Sequence, residues 1–268
     1  MRILRICVSV IACLVIGASI FLMIFTADRN VAPDITCSVE VLEVPVAVTD
    51  AELLSYVTAT DPEDGELTDA VILERGNYFR SPGESWVTYA VCDSGNKVTT
   101  LEKKIVFTDY HAPRIGLKSD LIFPSGKTEN LTEFVTATDL FDGDISARIK
   151  LISTEFTYLE GTYKVNIKVT NSMGDTRDLT VDTIVTDEDY DDAKIRLKNY
   201  ILYNKVGTTP NFASYIAGVS SKEYSEKNVV VDDSAFKADE AGVYNIFYTI
   251  TKGDKVVTKT RLVVVNEG

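Results

Sequence analysis

The chain contains one stretch written twice: Tyr56-Val57-Thr58-Ala59-Thr60-Asp61-Pro62-Glu63-Asp64-Gly65, then Phe134-Val135-Thr136-Ala137-Thr138-Asp139-Leu140-Phe141-Asp142-Gly143. The copies lie 78 residues apart. Each is a β-prone run that stops at a carboxylate-rich turn ending in Asp-Gly. Self-similarity at such a period means similar modules in a row. Ala112-Pro113-Arg114-Ile115 repeats Ala32-Pro33-Asp34-Ile35, and Gly242-Val243-Tyr244 repeats Gly161-Thr162-Tyr163. These landmarks divide the chain into modules at 31–109, 112–186 and 190–268. The third keeps the closing strands but has Tyr215-Ile216-Ala217-Gly218-Val219-Ser220 in place of the acidic cassette.

Within each module the pattern is short strands and regular turns. Trp86 to Val91 alternates strongly, Asp93-Ser94-Gly95-Asn96 marks a hairpin, and Val98 to Thr108 closes the first module. No long helical period interrupts this, which predicts all-β, antiparallel sandwiches. One exception is Thr49-Asp50-Ala51-Glu52, whose spacing predicts a capping box and a single helical turn.

The amino terminus differs. Ile6 to Phe25 is uncharged and mostly apolar, and at 1.5 Å per residue it is long enough for a bilayer core of about 30 Å. With Thr26 it forms a predicted signal-anchor at 6–26 behind a tail of residues 1–5. Arg2 and Arg5 favour a cytoplasmic N-terminus and an extracellular remainder. A cleaved signal peptide is the rival, and Val10-Ile11-Ala12-Cys13 loosely resembles a lipoprotein box. Cys7 and Cys13 read as apolar membrane residues. No sorting signal or hydrophobic anchor is expected at the C-terminus, which places the tether at the N-terminal end.

The formal charge is −13, and the first 27 residues hold no Asp or Glu. Clustered Lys or Arg is what phosphate binding needs, so nucleic acid is excluded as a partner. Residues 28–109 carry 6 basic and 16 acidic groups, or −10. That field either solubilises the first module or collects divalent cations or a basic partner.

Cys37 and Cys92 are the only cysteines beyond the anchor. A disulfide is chemically permitted between them in an oxidising compartment; two separate thiols are the alternative. The lone His111 has no second His and no reactive Ser or Cys beside it, so no catalytic constellation is expected. Asn130-Leu131-Thr132 matches a glycan acceptor only in a eukaryotic secretory setting. Trp86 and the tyrosines suit a sugar-binding surface or, at strand spacing, a core.

Pro33 and Pro113, Ala59 to Gly65, Gly161 to Tyr163, Gly242 to Tyr244, the Asp93–Asn96 turn and Asp109 together resemble the bacterial Ig-like domains found in tandem on the surface proteins of Gram-positive bacteria. The resemblance covers the first two modules well and the third weakly. It implies a sandwich fold and a surface location, and no activity.

The acidic cassettes are the candidate site. Asp61, Glu63, Asp64, Asp109, Asp139, Asp142 and Asp144 are candidate Ca2+ ligands, the turn of the second module combining with Asp109 of the linker. The alternative is that Asp and Gly simply build the turn. No other cofactor is expected. The expected role is a membrane-anchored structural or adhesive module whose partners are surface proteins or cell-wall components. A ligand- or glycan-binding ectodomain of a sensory or cell-wall complex is the alternative.

Overall fold

In the computed structural model, residues 13–21, 30–126, 130–153, 159–187 and 193–268 are described. Alternation of β-branched and polar residues makes strands with one buried face. In the first module these are β1 (Asp34–Cys37), β2 (Val41–Val44), β3 (Val57–Asp61), β4 (Gly65–Glu66), β5 (Ile72–Arg75), β6 (Glu84–Cys92) and β7 (Val98–Phe107). They form two sheets, β1-β3-β4 and β2-β7-β6-β5. On β6, Val87, Tyr89 and Val91 point inward and are fully buried, as period-2 burial requires. The predicted helical turn is present at Asp50–Leu54, with a complete Thr49–Glu52 capping box. The Tyr89 hydroxyl donates to Leu53 O at 2.8 Å, tying that turn to the core. Burial pushes its pKa up to about 12.

The second module repeats the plan with β8 (Arg114–Leu117), β9 (Ile122–Pro124), β10 (Val135–Asp139), β11 (Gly143–Asp144), β12 (Lys150–Ser153), β13 (Gly161–Thr170) and β14 (Thr176–Thr186). Its sheets are β11-β10-β8 and β12-β13-β14-β9. The third has β15 (Lys194–Leu197), β16 (Ile201–Lys205), β17 (Ile216–Ser220), β18 (Val230–Asp232), β19 (Gly242–Lys252) and β20 (Lys255–Glu267). Its sheets are β15-β17 and β16-β20-β19-β18. Where the cassette is absent, no short return strand equivalent to β4 or β11 follows β17 among the described residues. The expectation of antiparallel sheets needs one amendment: β9 runs parallel to β14, and β16 parallel to β20. A crossover from one sheet of the sandwich to the other brings these strands back in the same direction.

The chain divides into two compact units. Among the described residues, one comprises those up to Leu42, Ala47–Gly76 and Trp86–Ile105; the other comprises those of Glu43–Val46, Asn77–Ser85 and Val106–Gly268. The second and third modules therefore form one body, with a common core. Ile201, Val263 and Val265 of the third lie in the cluster built by Ile115, Leu121, Val135, Ile167 and Val181 of the second. The opposite face of β20, at Leu262 and Val264, lines the third module's own core.

Polar contacts frame this seam. Tyr203 Oη accepts from Ile115 N at 2.7 Å and donates to Ile115 O at 3.1 Å. The Arg114 and Arg177 guanidinium carbons each lie 5.3 Å from the centroid of that ring. Arg177 also pairs with Glu267 at 2.7 Å. Arg261 is 1% exposed and donates to Asp182 O at 2.5 Å, while Thr260 donates to Asp120 at 2.6 Å.

Of the predicted signal-anchor at 6–26, residues 13–21 are helical and exposed; 6–12 and 22–26 lie outside the described residues. Among the described residues no helix is long and apolar enough to cross a membrane. Cys7 and the tail of residues 1–5 also lie outside them, as do 190–192 of the third module.

Candidate functional site

Both acidic cassettes end a strand and turn through a glycine with positive φ, +79° at Gly65 and +68° at Gly143. That conformation is open to Gly without steric cost. In the second module Asp139 Oδ1 accepts from the backbone N–H of Phe141 at 2.9 Å and of Asp142 at 3.2 Å. Its Oδ2 accepts from Asn171 Nδ2 at 3.0 Å. Asp142 Oδ2 accepts from Ser172 N and from Arg148, both at 2.6 Å. Burial raises the Asp142 carboxyl, but the bonds from Ser172 and Arg148 outweigh it and hold the group below its usual range. Bonds from the Ser146 hydroxyl and N–H do the same for Asp144.

The expected linker ligand is engaged elsewhere: Asp109 Oδ1 accepts from Val46 N at 2.8 Å. The next residue, Tyr110, reaches the turn instead. Its hydroxyl donates to Asp175 Oδ2 at 2.5 Å and accepts from Asn171 Nδ2 at 3.2 Å. Burial, then the Asp175 carboxylate, pushes the phenol pKa far up. Around it Phe79, Phe107, Tyr110 and Phe141 pack edge to face or tilted, with centroids 4.7 to 6.2 Å apart.

The first module builds the same turn with a different polar complement. Asp61 Oδ1 accepts from Glu63 N and Asp64 N, both at 2.8 Å. The Asp64 carboxylate accepts from Ser94 N at 2.6 Å and Ser94 Oγ at 2.8 Å, which holds it below its usual range. Glu63 Oε2 accepts from Val31 N at 3.3 Å. Asp93 accepts from Lys97 N at 2.7 Å on Oδ1 and from Asn30 Nδ2 at 2.6 Å on Oδ2. Asp61 and Asp93 are each 5% exposed, and Asp61 Oδ2 is buried without any hydrogen-bond partner.

The predicted carboxylates thus fall into separate turns, and most of them already accept hydrogen bonds. Among the described residues no three Asp, Glu, His or Cys side chains gather in one place. Asn30, Asp93, Tyr110 and Asn171 were missed as members of these clusters. The signal for them was the repeat itself, which sets Asp93 against Asn171 at the 78-residue spacing and Asn30 against Tyr110 at the 80-residue spacing of Ala32 and Ala112.

The Cys37–Cys92 disulfide is corrected: both thiols are free. Cys37 ends β1 opposite Val57, whereas the exposed Cys92 contacts the carbonyl of Asp93, whose side chain bonds Asn30 before the start of β1. The length of β1 separates the two sulfurs.

No protein-family model matches the sequence, and no curated protein matches it. Solved structures resemble it at low identity. The M60 catalytic domain with two CBM51 domains of Clostridium perfringens ZmpB is 14% identical over 87% of this chain and 42% of that one, with a TM-score of 0.26. A ZmpB CBM51-2 and INT structure in complex with GlcNAc is 20% identical over 58% and 42%, with a TM-score of 0.27. Drosophila N-cadherin EC1-4 is 14% identical over 71% and 59%, with a TM-score of 0.23. The chain thus spans about two fifths of the length of the two ZmpB structures.

Proposed function

We propose that this chain is an extracellular scaffold, a membrane-tethered structural or adhesive module of Ig-like sandwiches that carries no catalysis of its own. One observation carries the reading. The carboxylates that recur between modules are hydrogen-bonded within their own module: Asp139, Asp144 and Asp61 Oδ1 to the turn they belong to, Asp142 and Asp64 to the late hairpin turn at Ser172 and Ser94. A feature duplicated with its turn serves architecture. The joined second and third modules add a stiff body suited to holding a partner-binding face.

The tether is the apolar segment 6–26. Membrane fractionation of cells expressing the full chain, followed by external protease, tests it. The scaffold reading expects the chain in the membrane fraction, with residues beyond 30 cleaved from outside. Recovery of the intact chain in the soluble fraction, or protection from protease, overturns it. Affinity capture of cell-wall fragments and surface proteins by the full chain then identifies the partner.

A second reading, capture of a glycan or other small ligand, is favoured by a cavity of about 390 Å³ lined by Tyr78, Phe79, Arg80, Pro82, Met173 and Asp175. Aromatic faces beside charged hydrogen-bonding groups suit a sugar ring. Tyr78→Ala should abolish any saccharide binding seen by calorimetry, and retention of binding would remove this cavity from consideration.

A further inference from the structure

The two acidic turns have the same backbone but do not balance their charges in the same way. In the second module the buried Asp139 meets two backbone donors and the Asn171 amide, and Asn171 in turn meets the Tyr110 hydroxyl. Every polar atom has a partner of the right sign. In the first module Asp93 stands where Asn171 stands, since each donates the closing turn bond from its backbone N–H, Asp93 N to Lys97 O and Asn171 N to Asp175 O, both at 3.0 Å. The flanking contacts also correspond: Asp64 receives Ser94 as Asp142 receives Ser172. The exchange of amide for carboxylate removes the donor that Asp61 Oδ2 would use. It also sets a second carboxylate, equally buried, at the position from which Asn171 contacts Asp139.

A buried anionic oxygen without a donor is costly, and a second anion beside it adds repulsion. The side-chain donor at this cluster is Asn30 Nδ2, which bonds Asp93 and not Asp61. The Lys97 ammonium bonds the backbone oxygen of Asn30. Asp61 Oδ2 itself meets no donor.

We propose that Asp61 and Asp93 form a divalent-cation site taking Ca2+, one ion per first module. The two carboxylates match its charge. Water oxygens complete an all-oxygen shell of the kind Ca2+ accepts. The surrounding module, at −10 over residues 28–109, draws cations toward it. This site differs from the turn-plus-linker arrangement expected from the sequence. It lies within one module, uses Asp93, and leaves Asp109 and the second module's cassette aside. It stands whether or not the scaffold reading holds.

The test is the thermal unfolding of the full chain in EDTA and in about 5 mM CaCl2, a concentration suited to extracellular sites with Kd near 1 mM. Calcium should raise the melting temperature of the wild-type chain by about 5 °C. Asp93→Asn restores the amide found at Asn171. It should melt higher than wild type in EDTA and lose the calcium response. Asp61→Asn, which turns a donor toward Asp93, should lose the response too. Equal wild-type melting in EDTA and calcium overturns the proposal, as does a full calcium response in both variants.

Discussion

Asp139 shows what a single residue does in this fold. It is 6% exposed and accepts three hydrogen bonds, two from its own turn and one from Asn171. Asp139→Ala leaves those donors unmet at a buried position. It should cost about 2 to 3 kcal/mol, read by denaturant unfolding. Asp144→Ala, at an exposed position bonded only to Ser146, should cost far less. Acid acts on the same groups. Turn bonds hold Asp64, Asp142, Asp144 and Asp232 below their ordinary value of 3.8. A lowered carboxyl contributes stability that is complete above the ordinary value and disappears as pH falls through the lowered one. The melting temperature should therefore be flat from neutral pH to about 4.5 and then fall below 3.8. Asp120 carries the opposite sign: burial raises it, so folding is favoured as pH falls through its value. Asp142→Asn with Asp144→Asn should flatten the acid limb.

Strand β20 makes the corresponding point at the level of an element. Leu262-Val263-Val264-Val265 is buried on both faces, one in the third module's core and the other in the second's. A strand covered on both sides reads as a continuous apolar run, where a strand covered on one side alternates. The run was visible in the sequence, and its meaning was open because it also fits a single buried core. Ile201, on the parallel neighbour β16, sits in the same seam. Ile201→Ala should cost about 2 kcal/mol or more and destabilise the second and third modules together. Loss confined to the third module, followed by residue-specific hydrogen exchange, would contradict a common core.

For the molecule as a whole, the expected thermal behaviour follows from the two units. Calorimetry should resolve two transitions, one for residues 30–42, 47–76 and 86–105 and one for the larger unit, where three independent beads would give three. The strand plan was legible because burial on one face imposes period 2, and Asp-Gly turns punctuate it wherever the plan recurs. The Thr49–Glu52 cap was legible because all its atoms lie within four residues. The seam was not. Tyr203 finds Ile115 across 88 positions, and Thr260 finds Asp120 across 140. Local pattern carries no information about such pairs.

The amino-acid order alone determined the repeat, the all-β class, the acidic turns and the apolar leader, since each depends on neighbours along the chain and on the period of burial. Only the folded arrangement decided that two modules share a core, that Cys37 and Cys92 stay apart, and that Asp61 is left with an unmatched buried oxygen. Those outcomes depend on which side chains meet across sheets, and hydrogen bonding and desolvation act on distance in space.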